Sequence, residues 1–239
     1  MLSRNVAEGL QRYLRDGGTV VAEARLAWND ERGFSSDEVP GMGLAEVFGA
    51  REKVIRPVEK PEVILEPDAG LPGCAPGTRA AATAFEEELE PLPGARVLGR
   101  FADGAPAIVE NSYGKGKAIL VGSFLAVAFQ RQHDEATKQL LLGLARAAGV
   151  APEVIVSGEN SSQVEVRRLE GKDVQFLFAF NHSEHAAAAK ISVRVPWTAR
   201  EARSLNGEQK VSFRQSGDGL AIEAPLAALG IWVVRLDRK

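Results

Sequence analysis

The stretch that decides the first half of the fold is Leu10-Gln11-Arg12-Tyr13-Leu14-Arg15-Asp16-Gly17-Gly18-Thr19-Val20-Val21. It predicts a helix over residues 3–15, with Ser3 as its N-cap and with apolar side chains at helical spacing, at Val6, Leu10, Tyr13 and Leu14. Gly17-Gly18 ends this helix, because glycine accepts the left-handed conformation of a helix C-terminus. The apolar residues 19–23 then predict a buried strand. Helix, Gly-Gly and buried strand are typical of half a βαβ unit.

The pattern of alternating elements continues to residue 149. In chain order it predicts a loop over 28–41, a short helix over 44–48, a strand over 53–58, an edge strand at Ile64 and Leu65, a helix or turn over 80–89, strands over 96–101, 107–111 and 118–122, and a helix over 134–148. The run 118–122 is apolar on both faces, as in a central strand covered on both sides. This half predicts an α/β domain over residues 1–151.

After Ala151-Pro152 the periodicity changes. Short strands are predicted over 164–169, 174–180, 190–195, 201–205, 210–214, 220–223 and 230–236, separated by turn clusters rich in glycine and charged residues. This spacing is typical of an antiparallel β-sandwich. The second predicted domain is therefore a small all-β sandwich over residues 152–239.

Composition excludes several classes of function. The chain has 239 residues, of which 45% are hydrophobic, enough for a real core. Its 29 basic and 32 acidic residues give a net charge of −3, without the clustered basic excess of a nucleic-acid-binding protein. The residues predict neither a membrane helix nor a signal peptide, so we expect no membrane partner and a cytoplasmic location.

Cys74 is the one cysteine, so no intrachain disulfide is expected. A nucleophilic cysteine would sit on a sharp strand-to-helix turn with a histidine base in reach. Here the context is Pro72-Gly73-Cys74-Ala75-Pro76, which favours a loop. A Cys-dependent amidotransferase-like enzyme is the least favoured of three hypotheses.

No catalytic, cofactor-binding or metal-binding residue is predicted. His182 and His185 lie three residues apart, but a metal site needs three or four converging ligands. The run Glu86 to Glu90 is interpreted as a solvated helix face, because adjacent glutamates on one helix cannot flank a sugar bond. The segment Gly114-Lys115-Gly116-Lys117 lacks the hydroxyl residue of a phosphate-binding loop and is interpreted as a hairpin turn.

Two tryptophans are candidates for stacking on a sugar ring. Trp232 lies in the apolar run Ile231-Trp232-Val233-Val234 and is assigned to the core. Trp197 follows a proline and is the candidate glycan contact. The second hypothesis is therefore a carbohydrate-binding accessory protein that uses Trp197.

Six segments carry a family resemblance in the same order along the chain. They are residues 10–21 quoted above, 40–49 (PGMGLAEVFG), 113–122 (YGKGKAILVG), 144–152 (LARAAGVAP), 164–168 (VEVRR) and 176–182 (FLFAFNH). Together they resemble the middle and C-terminal domains of the β-galactosidases of glycoside hydrolase family 42. The resemblance covers nearly the whole chain.

The resemblance implies that the first domain has a class I glutamine-amidotransferase-like α/β fold, a flavodoxin-like open sheet without a catalytic triad. It also implies a role in associating subunits, three in the known enzymes. The catalytic glutamates of that family lie in an N-terminal barrel, so no catalytic residue is carried over. In the family a strand precedes the first helix; here Met1 takes its place, so the first domain is expected to lack that strand.

The first hypothesis is thus a pair of non-catalytic assembly and accessory domains of a β-galactosidase-like glycoside hydrolase. Its expected partners are further copies of the chain, three by resemblance, or a glycosidase barrel. No cofactor is expected.

Overall fold

The computed structural model describes residues 1–207 and 209–239, which divide into two units, Met1–Ala151 and Pro152–Lys239. The first unit contains four helices: α1 (Arg4–Arg15), α2 (Leu44–Phe48), α3 (Leu125–Gln132) and α4 (Glu135–Ala147). Its strands are β1 (Thr19–Ala22), β2 (Ala50–Pro57), β3 (Glu62–Leu65), β4 (Arg79–Ala81), β5 (Phe85–Pro91), β6 (Arg96–Phe101), β7 (Pro106–Tyr113) and β8 (Gly116–Val121).

Six of these strands form a mixed sheet in the order β1-β8-β7-β6-β3-β4. Only the pair β1 and β8 is parallel, with Val20 opposite Ala118. The remaining four pairings are antiparallel. Strand β3 lies between β6 and β4, so the prediction of an edge strand at Ile64 and Leu65 is wrong: the three-residue β4 covers it.

Strand β8 shows why the sheet has two covered faces. Its side chains alternate, so Leu120 packs in the core that includes Leu14 of α1 and Phe48 of α2. Ile119 packs in the opposite core, with residues of α3 and α4 such as Leu140. Residues 118–121 are fully buried, as their continuous apolar character predicted.

The structure corrects the prediction of a helix or turn over residues 80–89. These residues contribute β4 and β5, and β5 forms a separate two-stranded sheet with β2. Glu86, Glu87 and Glu88 are buried, so the prediction of a solvated helix face is also wrong. The helical propensity of glutamate is outweighed by cross-strand pairing, because β2 brings basic side chains opposite β5.

Helix α1 begins and ends as its sequence predicted. The Ser3 hydroxyl accepts the N–H of Val6 at 3.4 Å, and Gly17 adopts φ +108° after the last turn. The apolar stripe is placed differently, because Ala7 and Leu14 are buried while Val6 and Tyr13 face solvent. The short helix α3 follows β8 after three residues and was not predicted from the sequence.

The second unit consists of two four-stranded antiparallel sheets, in the orders β10-β11-β16-β13 and β14-β15-β12-β9. Their strands are β9 (Val154–Glu159), β10 (Val164–Glu170), β11 (Val174–Asn181), β12 (Ala187–Arg194), β13 (Ala199–Ser204), β14 (Phe213–Ser216), β15 (Gly219–Leu226) and β16 (Ile231–Arg238). Both sheets contribute to one core, with Leu177 and Val234 from the first and Ile191 and Ile222 from the second. The predicted antiparallel sandwich is confirmed; β9 was not predicted.

Candidate functional site at the ends of the parallel strands

In open α/β sheets, ligands bind beyond the carboxyl ends of the parallel strands. In the first unit these ends are Ala22 of β1 and Val121 of β8. Glu23 follows the first strand, and Ser123 lies between the second strand and helix α3. This edge of the sheet is therefore the place to look for a catalytic or binding site.

The N-terminus of α3 is occupied by a carboxylate of the chain itself. Glu23 Oε1 accepts the N–H groups of Leu125 and Ala126, both at 2.8 Å. The first N–H groups of a helix lack partners within the helix and attract anions. Glu23 takes the position that an anionic substrate or an oxyanion would otherwise fill.

Ser123 is the residue best placed to act as a nucleophile at this edge, but its contacts argue against that role. Its side chain is fully buried. Its hydroxyl lies 2.8 Å from the carbonyl oxygen of Phe85 and 3.2 Å from that of Thr83. A nucleophilic serine gives its proton to a base, whereas here the proton goes to backbone carbonyls. Among the described residues no histidine bonds to it.

The carboxyl groups of Glu87 and Glu52 lie beside this edge, both in contact with Arg25. Glu87 Oε2 accepts the N–H of Arg25 at 2.9 Å, and the Arg25 guanidinium forms an ion pair with Glu52. The Glu87 side chain is fully buried, and its Oε1 has no hydrogen-bond partner among the residues described. The pKa of Glu87 is raised to about 7, mainly by burial; the hydrogen bond from the Arg25 N–H opposes the rise, and the nearby Glu52 contributes to it.

The carboxyl groups of Glu87 and Glu52 have a structural role and are not placed for catalysis. A proton on Glu87 is held near neutral pH, but no substrate reaches a fully buried side chain. Its bond to Arg25 instead holds a left-handed turn, since Arg25 has φ +64°, a conformation uncommon for a side chain other than glycine. The Arg25 guanidinium also lies 3.8 Å from the ring centre of Trp28, at the start of an exposed loop.

Two other glutamates of β5, Glu88 and Glu90, form cross-strand ion pairs with β2. Glu88 binds Lys53 at 2.8 Å and Arg56 at 2.7 Å, and Glu90 binds Arg51 at 2.9 Å. The hydrogen bond from Lys53 is the main cause that lowers the pKa of Glu88. These carboxylates stabilise the pairing of β2 with β5. The basic residues Arg51, Lys53 and Arg56, within and just before the predicted strand 53–58, were the signal that could have revealed this pairing.

Cys74 lies in a loop, as its flanking prolines predicted. Its sulfur is 3.3 Å from the carbonyl oxygen of Gln139 and packs against Gly143 of α4. Burial raises the pKa of the Cys74 thiol, although the positive charge of Arg146 opposes this. A reactive thiol needs the opposite shift.

His182 and His133 each have a local contact or role of their own. His182 Nε2 lies 3.0 Å from Glu165 on the solvent side of the second unit, and His133 ends helix α3. Among the described residues no group of three potential metal ligands occurs. Within the same residues no helix is both long and apolar enough to span a membrane.

The tryptophans of the second unit have different surroundings. Trp197 is partly buried and packs against the core, and the prediction that it contacts a glycan stays a prediction. Trp232 is buried, as predicted, and it also lines a cleft of about 1100 Å³ together with Phe213. Local sequence patterns did not predict this cleft, because its lining comes from five strands, β12 to β16, and from the segments between them.

The first unit keeps several large apolar side chains at its surface. In chain order they are Met1, Val6, Tyr13, Val21, Trp28, Phe34, Val54, Ile55 and Val150. Single exposed apolar residues are normal, but two exposed aromatic side chains on one loop are more typical of an interaction surface.

Comparison with known proteins places the first unit in a family. Residues 1–151 match the family model of the β-galactosidase trimerisation domain. None of the curated proteins matches the sequence.

Solved structures show where the fold recurs. A β-galactosidase from Bacillus circulans sp. alkalophilus aligns with a TM-score of 0.74 and 21% identity, covering 99% of this chain and 31% of that enzyme. A family 42 β-galactosidase from G. stearothermophilus aligns with a TM-score of 0.72 and 19% identity, covering 99% of this chain and 30% of that enzyme. The α-L-fucosidase isoenzyme 2 from Paenibacillus thiaminolyticus aligns with a TM-score of 0.67 and 14% identity, covering 98% of this chain and 38% of that enzyme. This chain thus spans about a third of each enzyme, and its fold occurs in enzymes named for two different sugars.

Proposed function

The chain belongs to the β-galactosidase trimerisation domain family, and from this membership we propose that it forms the non-catalytic assembly and accessory domains of a β-galactosidase-type glycoside hydrolase. The observation that carries the proposal is the match over the whole first unit, residues 1–151. The exposed aromatic side chains of the same unit support it, because an assembly domain needs an apolar surface.

The proposal places the glycosidase chemistry in a catalytic barrel outside this chain. Three features of the first unit support a non-catalytic role: the carboxylate of Glu23 at the α3 N-terminus, the hydroxyl of Ser123 bonded to carbonyls, and the raised pKa of the Cys74 thiol through burial. The purified chain should not hydrolyse a chromogenic β-galactoside. Stoichiometric, protein-dependent turnover would contradict the proposal.

A finer structural assignment belongs to the same proposal. We assign residues 1–151 to a class I glutamine-amidotransferase-like fold that lacks a catalytic triad, and residues 152–239 to an accessory sandwich. Support comes from the helices on both faces of the sheet and from α3, which starts three residues after the parallel strand β8. A glutaminase assay should show no activity, and Cys74→Ser should leave that result and the fold unchanged. Glutaminase activity lost in Cys74→Ser would favour the Cys-dependent enzyme instead.

Self-association is the activity that the proposal predicts. Sedimentation velocity over a range of concentrations should show a species larger than the monomer, a trimer if the family description holds for this chain. Addition of a separately produced glycosidase barrel should yield a complex if the barrel is the partner instead. A monomer at high concentration that binds no barrel would overturn the assembly role.

A second candidate function is glycan binding by the second unit. The cleft lined by Trp232 and Phe213 is the observation that favours it, since sugar sites commonly use aromatic side chains. Calorimetric titration with galactosides and plant polysaccharides tests this candidate. Phe213→Ala should abolish binding if the cleft is the site, whereas Trp197→Ala should do so if Trp197 is the contact; no heat with any ligand would reject both.

A further inference from the structure

The turn that follows strand β1 connects a buried acid with an exposed aromatic ring. Arg25 lies at its centre, and its backbone N–H donates to Oε2 of Glu87 at 2.9 Å. The Arg25 guanidinium forms an ion pair with Glu52 and lies 3.8 Å from the ring centre of Trp28. Trp28 is 45% exposed, so one arginine side chain binds a carboxylate and also covers an aromatic ring at the protein surface.

The two carboxyl groups beside Arg25 differ in their access to water. The Glu87 side chain is fully buried, and its Oε1 has no hydrogen-bond partner among the residues that the structure describes. The Glu52 side chain is 17% exposed. A carboxylate that water cannot reach needs a charged partner, whereas a partly exposed carboxylate is hydrated. When both groups are charged, the guanidinium therefore stabilises Glu87 more than it stabilises Glu52.

The charged groups that act on Glu87 are Arg25 and Glu52. Burial is the main cause that raises the pKa of Glu87 to about 7; the N–H and the charge of Arg25 oppose the rise, and Glu52 contributes to it. The carboxylate of Glu23 is bound by the N–H groups at the start of α3, and the segment between β8 and α3 is uncharged. Glu110 of β7 and the arginines of β6 have ion pairs of their own. The basic side chains of β2 pair with other glutamates of β5.

We propose that the ionisation of Glu87 turns the Arg25 guanidinium from Glu52 toward Glu87 and thereby uncovers the ring of Trp28. While Glu87 holds its proton, the guanidinium pairs with Glu52 and lies over the ring. When Glu87 releases its proton to water, the buried carboxylate takes the guanidinium and water hydrates Glu52. The backbone of the turn is retained, because an ionised carboxylate accepts the Arg25 N–H more strongly than a neutral one.

The exchange changes what this part of the surface presents to a partner. Aromatic side chains are among the residues that dominate binding energy at protein interfaces. At mildly acidic pH the Trp28 ring is covered by a guanidinium, and above neutral pH more of the ring is open to solvent. A partner that stacks on this ring should therefore bind more tightly above neutral pH than below it.

Acrylamide quenching of tryptophan fluorescence in the full chain, measured between about pH 5.5 and 8.5, tests the exchange. The chain has three tryptophans, and the difference between wild type and Trp28→Phe isolates the signal of Trp28. Its quenching constant should rise about twofold with a midpoint near pH 7, because the ring loses its cation cover. A flat profile for Trp28 would overturn the proposal. Circular dichroism at each pH shows whether the fold is kept, and unfolding that coincides with the rise would overturn it too.

Glu87→Gln identifies the group that titrates. An amide does not ionise, so the quenching of Trp28 in this variant should stay low at every pH. Glu90→Gln is the matched control on the same strand, since its exposed carboxylate pairs with Arg51; this variant should keep the wild-type transition. A transition that persists in Glu87→Gln would belong to another group, such as a histidine, and would refute the role of Glu87.

Glu52→Gln tests whether Arg25 moves between the two carboxyl groups. The substitution removes the competing carboxylate, so the guanidinium is free to pair with Glu87 and favours its ionisation. The midpoint of the Trp28 transition should therefore fall by about one pH unit. An unchanged midpoint in Glu52→Gln would show that the two carboxyl groups do not compete for Arg25, and the proposed exchange would be refuted.

Discussion

Glu87 is the residue whose environment departs most from what its chemistry favours. Burying a carboxylate without full hydrogen bonding is costly, so such a group holds a proton instead. The Arg25 N–H occupies one oxygen, and the Arg25 guanidinium pairs with Glu52 rather than with Glu87. The carboxyl is thus neutral at mildly acidic pH and charged above neutrality.

The shift makes stability depend on pH. The folded-state pKa of Glu87 is about 7, against an ordinary value of 4.5, mainly because of burial. The folded protein therefore holds a proton that the unfolded chain releases between these values. The stability that this group contributes is complete below pH 4.5 and is lost as the pH rises through 7, a loss of about 3 kcal/mol above that range.

Glu87→Gln should remove this dependence, because an amide resembles the protonated acid. We expect the variant to unfold at higher urea concentration than wild type at pH 8, with the difference shrinking toward pH 4.5. Urea unfolding curves followed by circular dichroism at several pH values measure this. Glu90→Gln is the control; its exposed carboxylate pairs with Arg51, so this variant should gain no stability at pH 8. An unchanged pH profile in Glu87→Gln would show that Glu87 is ionised in the fold.

Among the elements, β5 shows where local signals mislead. A run of glutamates has the propensity of a helix, yet residues 85–91 form a strand. The deciding partners, Lys53 and Arg56, lie on β2, more than thirty residues earlier in the chain. Propensity is a local property, and pairing between strands is not.

Helices whose capping residues lie next to them in the sequence were predicted well, because capping is a local property. Ser3 before α1, Gly17 after it and Asp134 before α4 act within one helical turn of the residues they cap. Helix α3 has no such signal, since its N-terminus is capped by Glu23 from the end of β1. A cap supplied from about 100 residues away leaves no mark on the local sequence.

Asp134 is the N-cap of helix α4. Asp134 Oδ2 accepts the N–H of Thr137 at 2.8 Å and also lies 2.7 Å from its hydroxyl. Asp134→Ala should cost about 1 kcal/mol of unfolding free energy. Glu135→Ala, on the exposed side of the same turn, should cost less. The bonds from Thr137 also lower the pKa of Asp134, so the penalty of Asp134→Ala should fade as the pH falls below 3.8. Equal penalties for both variants would contradict the capping role.

Two glycines of the first unit make a matched pair. A side chain at Gly122 would collide with the backbone carbonyl of Glu87, where β5 passes the end of β8. Gly122→Ala should therefore destabilise the fold by about 1–3 kcal/mol. Gly9 lies inside α1 with open space around it, so Gly9→Ala should stabilise by about 0.5–1 kcal/mol. Chemical denaturation of both variants compares them; a loss of stability in both would show that the space around Gly9 is needed.

At the scale of the whole molecule, periodicity predicted a change in the pattern of elements after residue 151, and the structure has helices and a mixed sheet before this point and two antiparallel sheets after it. It could not predict the order of the strands, because β8 pairs with β1 only after the 93 residues between them have folded. The same holds for the candidate site. Glu23, Glu52, Glu87 and Ser123 come from four separate segments, and only the sheet brings them to one edge.

Assembly should be visible in the stability of the whole chain. Association that occurs only in the folded state raises the apparent Tm with protein concentration, by mass action. We expect the Tm of the wild type to rise by a few degrees between about 1 and 100 µM. Phe34→Ser removes an exposed aromatic side chain of the first unit and should show a smaller rise, whereas Leu169→Ser, on the surface of the second unit, should follow the wild type. Differential scanning fluorimetry at matched concentrations measures this, and a flat wild-type curve would mean that the folded chain gains nothing from its neighbours.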